Sequence, residues 1–360
     1  MTKSLGSALK RAEDRPSGFD YLRLSLAVSI VAWHTITVCY GPQAEAPLWT
    51  QWFRPLPFFI IPAFFALSGF LVAGSLERNS VGAFVALRVI RIAPALAVEV
   101  LVSALIIGPL VTRLDLSAYF QDHLFQRYFL NLFGYIQYFL PGVFTDQPAP
   151  WVNLQLWTVP FELECYVAIT ILAALGVTRR PAVLLLVAVA AAFVLTVNGV
   201  FRSPPTMEGA IPGRGLVVAF LVGVALYRMR EVVPFSSAAF LASLIAYIGL
   251  CFFPQTLFLS VIPAAYVTVY VGLLNPPRVL LVKGADYSYG IFLYGYPIQQ
   301  TVSFFLPELR LPLFNFMMTL PVVCLLAWMS WVFVESKVLS QRKGIIRFIE
   351  QSTGLWRTAA

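Results

Sequence analysis

The feature that most constrains this chain is a recurrence of apolar runs, each close to the ~20 residues a helix needs to cross the hydrocarbon core of a bilayer. Read between charged or Pro/Gly breaks, they fall near 21–40, 57–76, 92–112, 152–177, 182–200, 212–230, 236–254, 256–275, 287–306 and 313–334. Runs of that length argue for spanning helices and against the alternating ~10-residue strands of an outer-membrane barrel. Composition agrees, because 59% of the 360 residues are hydrophobic and only 12% are charged, about half the charge of a soluble domain. The expected fold is all-α: a polytopic integral membrane helical bundle of about ten transmembrane helices, with no polar stretch long enough to fold by itself.

One segment resists this reading. YFQDHLFQRYFLNLFGYIQYFLPGVF (119–144) is apolar but interrupted by Asp122, His123, Arg127 and Asn131. Taken as a re-entrant or interfacial segment on the outer side, with the N-terminus in the cytoplasm, it leaves eighteen of the twenty-five Lys and Arg residues inside and six outside, with Arg23 at the inner boundary. Counting it as a span would invert everything that follows and place Arg179, Arg180 and the basic tail outside. Positive charge collects in cytoplasmic loops, so the first arrangement is expected. It comprises a cytoplasmic tail over 1–17, a membrane domain over 18–340 in which 113–151 is the outer segment, and a cytoplasmic tail over 341–360. Both termini are then cytoplasmic, and the net charge of +8 reflects topology rather than nucleic-acid binding. The first eighteen residues are mostly polar and no AxA-like site follows the first apolar run, so a cleavable signal is not expected. Cys39, Cys165, Cys251 and Cys324 show no CxxC spacing, and no metal site is expected. No internal repeat is visible, which disfavours the transporter folds built on repeats.

Three polar groups interrupt the apolar pattern. Arg23 and His34, eleven residues apart in the first run, lie on one helix face and roughly 16 Å apart along its axis. An ionisable side chain at membrane depth is costly unless it faces a bundle interior or a wet cavity. RVIRIAPAL places Arg88 and Arg91 one turn apart at the start of the third run, where two guanidiniums can clamp phosphate oxygens; positive-inside topology is the plainer alternative. VNLQLWTVPFELECY (152–166) carries Asn153, Trp157, Glu162 and Tyr166. Glu162 and Tyr166 share a face, and a carboxylate here could orient an imidazole acting as a base. Together these groups describe an axis with anion-binding residues at the cytoplasmic side and a general base well above them, joined by one wet passage.

These same stretches resemble the acyltransferase 3 family, integral membrane proteins that O-acylate carbohydrates. FDYLRLSLAVSIVAWH resembles its first-helix signature, FFALSGFLVAGSL its second-helix stretch, and RVIRIAPAL its Arg-x-x-Arg element. VNLQLWTVPFELECYV resembles its Trp-Thr/Ser block with the acid at Glu162. DYSYGIFLYGYPIQQ and WVFVESKVL resemble its two late motifs, the second around Glu335. The chain departs from the family pattern at Gly295, where many members carry His, and at Lys337, where Pro is usual. The resemblance implies a membrane-bound O-acyltransferase that moves an acyl group, acetyl above all, from cytoplasmic acyl-CoA to a hydroxyl of a cell-surface or exported glycan. His34 would be the general base and Glu162 its catalytic partner. Arg23, Arg88 and Arg91 would hold the acetyl-CoA phosphates, and Asn153, Trp157 and Tyr166 would contact substrate. Ser68 in ALSGF is a candidate for carrying an acyl intermediate, set against the commoner use of small residues for close helix packing.

The implied setting is the bacterial cytoplasmic (inner) membrane, with acyl-CoA, a carbohydrate acceptor and lipid as partners and no nucleic acid; homo-oligomerisation stays open. The aromatic residues of 113–151, among them Tyr119, Tyr128, Tyr135, Tyr138 and Trp151, could stack on sugar rings or form an interfacial belt. A transporter or exporter of a sugar or an acylated glycan intermediate is the alternative, distinguished by flux without a covalent product.

Overall fold

The computed structural model describes residues 3–202, 212–279 and 286–353; Lys283 and Arg357, counted above as cytoplasmic charges, lie outside them, as does the end of the C-terminal tail. Among the described residues the secondary structure is helical, with a single isolated β-bridge between Ser4 and Pro234. The main helices are α1 (Leu5–Arg11), α2 (Gly18–Tyr40), α3 (Pro55–Arg78), α4 (Val81–Val102), α5 (Val159–Ala174), α6 (Pro181–Arg202), α7 (Gly213–Arg228), α8 (Ser237–Cys251), α9 (Leu257–Gly272), α10 (Ser288–Phe305), α11 (Pro312–Ser330) and α12 (Arg342–Thr353). A π-helical turn, Ser103–Ile107, extends α4 towards Val111, and another, Trp331–Glu335, extends α11.

Seven helices among the described residues are long and apolar enough to cross a membrane: Gly18–Tyr40, Pro55–Arg78, Val81–Val111, Leu154–Ala174, Pro181–Asn198, Pro254–Gly272 and Pro312–Phe348. The other three expected spans are also helical, as α7, α8 and α10, but with 16, 15 and 18 residues respectively. At 1.5 Å per residue α7 is roughly 24 Å long, and most of it is buried. Helix α10 carries Gln299 and Gln300, both fully buried. It can do so because it packs against α2, α4 and α11 rather than facing lipid. Gln299 Nε2 donates to the Val31 carbonyl of α2 at 2.7 Å, and Gln300 Nε2 to the carbonyls of Ala149 and Trp151. By contrast, Leu186 and Phe193 of α6 and Leu313, Met317 and Leu325 of α11 are exposed, which suits a hydrocarbon solvent.

Two packing devices set the geometry of the interior. Helices α3 and α7 approach at backbone distance: a Cβ added at Gly69 would run into the Phe220 carbonyl, and one at Gly223 into the Ala66 carbonyl. Small residues let helix backbones meet in this way, and the contact fixes Ser68, the neighbour of Gly69. The second device depends on Pro297. Lacking an N–H, a proline inside a helix leaves the carbonyl four residues earlier without its usual donor. That carbonyl belongs to Leu293, and Gln155 Nε2 donates to it at 2.6 Å. The bond ties the 3-10 segment Leu154–Thr158 to α10 and so positions the start of α5, where Pro160 sits in the first turn.

Segment 113–151 contains no helix longer than six residues, only Leu116–Gln121, His123–Tyr128 and a 3-10 turn over Phe129–Phe133. It is nonetheless folded against the bundle. Tyr119 donates to the Ala104 carbonyl at 2.7 Å, and Asn131 bonds the backbone of Gln137 in both directions. Tyr119 and Tyr128 are fully buried, so these two aromatics build the core and are not available to a sugar. Tyr135 is 61% exposed.

Candidate active site

Helices α2, α3, α4, α5 and α10 surround a cavity of about 740 Å³, within the size range of cofactor and substrate sites. Arg15, Arg23, Arg78, Arg88, Arg91 and Arg342 line it against two carboxylates, Glu162 and Asp286. This excess of positive charge makes the chamber one for anions. It runs along α3 from Arg78 and Asn79 past Ser75, Leu71 and Ser68 to Phe64 and Ile61, and the ten residues between Arg78 and Ser68 span roughly 15 Å. Beyond Ser68 the wall is mostly apolar, with Leu67, Phe65, Phe64 and Ile61.

The arginines do not stand alone. Asp286, just ahead of α10, accepts from Arg23 Nη1 at 3.0 Å and from Arg91 Nη2 at 2.5 Å. Burial pushes the Asp286 carboxyl up, but the Arg91 and Arg23 guanidiniums outweigh it and hold the group well below the usual carboxylate range, so the bridge persists at neutral pH. Arg91 also reaches Glu335 at 3.3 Å, in the π-helical turn after α11. Glu335 in turn accepts from Ser330 Oγ. Arg88 has no carboxylate in ion-pair contact among the described residues; its guanidinium lies 5.7 Å from the Phe84 ring centroid, and its buried Nε has no hydrogen-bond acceptor. A guanidinium carries five donors, so Arg23 and Arg91 keep donors beyond those that Asp286 and Glu335 occupy.

Farther in, Tyr166 Oη donates to Glu162 Oε1 at 2.7 Å, and both residues line the chamber with Ser68 and Thr158. The pairing of Glu162 with His34 expected from sequence is not made: Glu162 turns to Tyr166 on its own helix and to the arginine chamber. His34 is buried, 7% exposed, with its ring edge-on to Tyr296 at 5.3 Å between centroids. It does not line the chamber. Phe64 and Phe292, with ring centroids 6.4 Å apart, are both part of the chamber wall. Phe64 also packs against the Ala27–Val31 face of α2, one turn before His34. The expected single passage from the guanidiniums to the imidazole is therefore not seen as one cavity: the chamber wall includes Phe64 and Phe292 but not His34.

The remaining candidates separate. Asn153 is fully buried with both polar side-chain atoms lacking a partner among the described residues. Trp157 packs edge-on against Phe161 at 6.0 Å and is not part of the chamber wall. His123 is exposed beside Asp122. Sequence reading missed Asp286, Gln155 and Glu99. Glu99 is fully buried on α4 and accepts from Ser103 Oγ at 3.1 Å at the π-helical turn; a carboxylate inside an apolar run was the available signal. Among the described residues no group of three or more His, Cys, Asp and Glu is placed to hold a metal ion.

A family model described as an acyltransferase domain matches residues 17–335, a stretch that contains every residue of the chamber wall except Arg15, Leu339, Arg342 and Ile346. The chain belongs to the acyltransferase 3 family. An O-acetyl transferase of Shigella phage Sf6 is 26% identical over 336 residues, covering 90% of this chain and 96% of the relative. No solved structure matches. With several helices able to span a bilayer, this acyltransferase is a multi-pass membrane enzyme that moves an acyl group other than an amino-acyl group from a donor to an acceptor.

Proposed function

We propose that this acyltransferase carries an acyl group, acetyl in the first instance, from a cytoplasmic acyl-CoA to a hydroxyl of a cell-surface or exported carbohydrate. The observation that carries the reading is the chamber itself, which is lined by six arginines and extends past Ser68 and Glu162 to the apolar Phe64 and Ile61. A coenzyme A thioester has the matching shape: a phosphorylated head, a long flexible arm and a reactive far end. Arg88, with Arg15, Arg78 and Arg342, would meet the phosphates most directly, while the bridge through Asp286 fixes Arg23 and Arg91 beside them. The name of the phage relative supports acetyl as the group moved and oxygen as the atom that receives it. The arginine end would face the cytoplasm of a bacterial inner membrane, as the positive-inside rule implies.

His34 is buried outside the chamber wall, where it would serve as general base on the acceptor hydroxyl. Asn153, with unpartnered polar atoms in the buried interior, would bind the carbohydrate. The test is transfer of label from acetyl-CoA to carbohydrate by the protein reconstituted in liposomes. His34→Ala should lower transfer by about 10²–10⁴-fold, and Arg88→Ala should raise the donor KM. Normal transfer by both variants overturns the reading.

A further inference from the structure

The chamber that would receive the donor contains a complete set of groups for covalent catalysis, and it does not include His34. We propose that Ser68 is a nucleophile that takes the acyl group from the donor as an ester, with Tyr166 and Glu162 relaying its proton. This rests on the acyl-CoA reading of the chamber.

Three observations place the chemistry. Ser68, Tyr166 and Glu162 all line the chamber, and Tyr166 Oη already donates to Glu162 at 2.7 Å. The Ser68 hydroxyl lies beside Tyr166 Oη, as does the Arg88 guanidinium. Hydroxyls inside helices commonly bond the carbonyl one turn back, as Thr170, Thr268, Thr301 and Ser336 do here. Ser68 makes no such bond among the described residues. Its hydroxyl is directed towards the tyrosine, and the close contact of Gly69 with the Phe220 carbonyl holds that turn of α3 in place. A nucleophile within reach of a base that is itself oriented by a third group is the usual arrangement for covalent acyl transfer.

The step balances. Ser68 Oγ attacks the thioester carbonyl carbon, its proton passes to Tyr166 Oη, and the tyrosine's own proton passes to the Glu162 carboxylate. The C–S bond then breaks, and the leaving thiolate recovers the proton from Glu162 and departs as the free thiol. The acyl group remains on Ser68 as an ester, one helical turn from Phe64 in the chamber wall. An acceptor hydroxyl attacks that ester, the C–Oγ bond breaks, and the acceptor's proton replaces the one Ser68 gave to the thiol.

The experiment uses full-length protein in nanodiscs, radiolabelled acetyl-CoA without acceptor, acid quenching, and mass spectrometry of the peptide that contains Ser68. Wild type should carry an acetyl ester on Ser68. Ser68→Ala should lose it and lower transfer by at least about 100-fold, with coenzyme A binding unchanged. Ser68→Cys, which changes only the side-chain heteroatom, should carry the acetyl group as a thioester cleaved by neutral hydroxylamine. Tyr166→Phe should bind donor normally but acylate slowly. Donor binding and acetyl transfer that survive in Ser68→Ala overturn this proposal while leaving the acyl-CoA reading intact. A wild-type protein that does not bind acetyl-CoA overturns both.

Discussion

Arg88 and Arg91 are one turn apart and look equivalent in RVIRIAPAL, yet their surroundings imply opposite consequences on removal. Arg91 holds two carboxylates, Asp286 at 2.5 Å and Glu335 at 3.3 Å. Glu335 is only 2% exposed, and Arg91 is 24% exposed. Arg91→Ala therefore strands a buried carboxylate whose remaining partner is a serine. Breaking a fully buried pair in this way costs about 3–5 kcal/mol; the partial exposure of Arg91 and Asp286 lowers the expectation to roughly 2–4 kcal/mol. Arg88→Ala breaks no ion pair among the described residues and removes a buried Nε that lacks an acceptor, though it takes a counter-charge from beside the Tyr166–Glu162 pair, so its effect should stay below that of Arg91→Ala, at about 1–2 kcal/mol. Function should divide the other way. A charge-assisted hydrogen bond contributes about 1.5–3 kcal/mol, so Arg88→Ala should weaken donor binding by roughly 10- to 150-fold in a well-folded protein. The assay is thermal unfolding in detergent, followed by fluorescence and size-exclusion chromatography, beside donor titration. In the Arg91→Ala background, Glu335→Gln should restore at least half of the lost stability, since the amide needs no counter-charge and can still accept from Ser330. Equal unfolding temperatures for the two arginine variants, or no recovery in the double variant, would refute the reasoning.

Other perturbations follow from single contacts. Gln155→Leu removes the donor to the Leu293 carbonyl freed by Pro297, and should cost about 1–3 kcal/mol in the same unfolding assay. Gly69→Val places two methyl groups against the Phe220 carbonyl, and should lower stability by at least about 1–3 kcal/mol and slow acyl transfer by displacing Ser68. The folded-state carboxyl of Asp286 lies below its unfolded value. The stability it confers is therefore complete above about pH 4 and declines as pH falls further; Asp286→Asn should remove that acid limb from unfolding curves measured between pH 3 and 7. A thiol introduced by His34→Cys should resist a charged reagent added from the arginine side, and Phe292→Ala should make it reactive. Equal labelling in both backgrounds would show that Phe292 does not separate the chamber from position 34.

Much of the helical architecture was legible because its cause is local. An apolar run of the right length must form a helix in a bilayer, since no other open structure satisfies its backbone, and each of the ten runs contains one. Arg88, Arg91, Glu162 and Tyr166 were legible for a related reason: polar side chains interrupting apolar runs are too costly to be incidental. Asp286 was harder to see, because it stands in a loop beside a helix start and only folding brings it between Arg23 and Arg91. Gln155 was invisible for the same reason, its partner being a carbonyl released by a proline far along the chain. The lengths of α7 and α10 show the limit of hydropathy. A helix walled in by other helices need not be long or uniformly apolar, because its solvent is protein.

The chain by itself determined that it would live in a membrane, where its helices would run, and which charged side chains could not be left facing lipid. Only the tertiary structure decided which of those charges meet. It joined Arg23, Arg91 and Asp286, gave Glu162 to Tyr166, and left His34 outside the wall of the arginine chamber. Helix formation depends on residues a turn apart and on the solvent around them, so a linear pattern encodes it. Partner choice depends on the rotation and depth of each helix against its neighbours, which backbone contacts such as that of Gly69 with Phe220 fix only once the whole bundle is assembled.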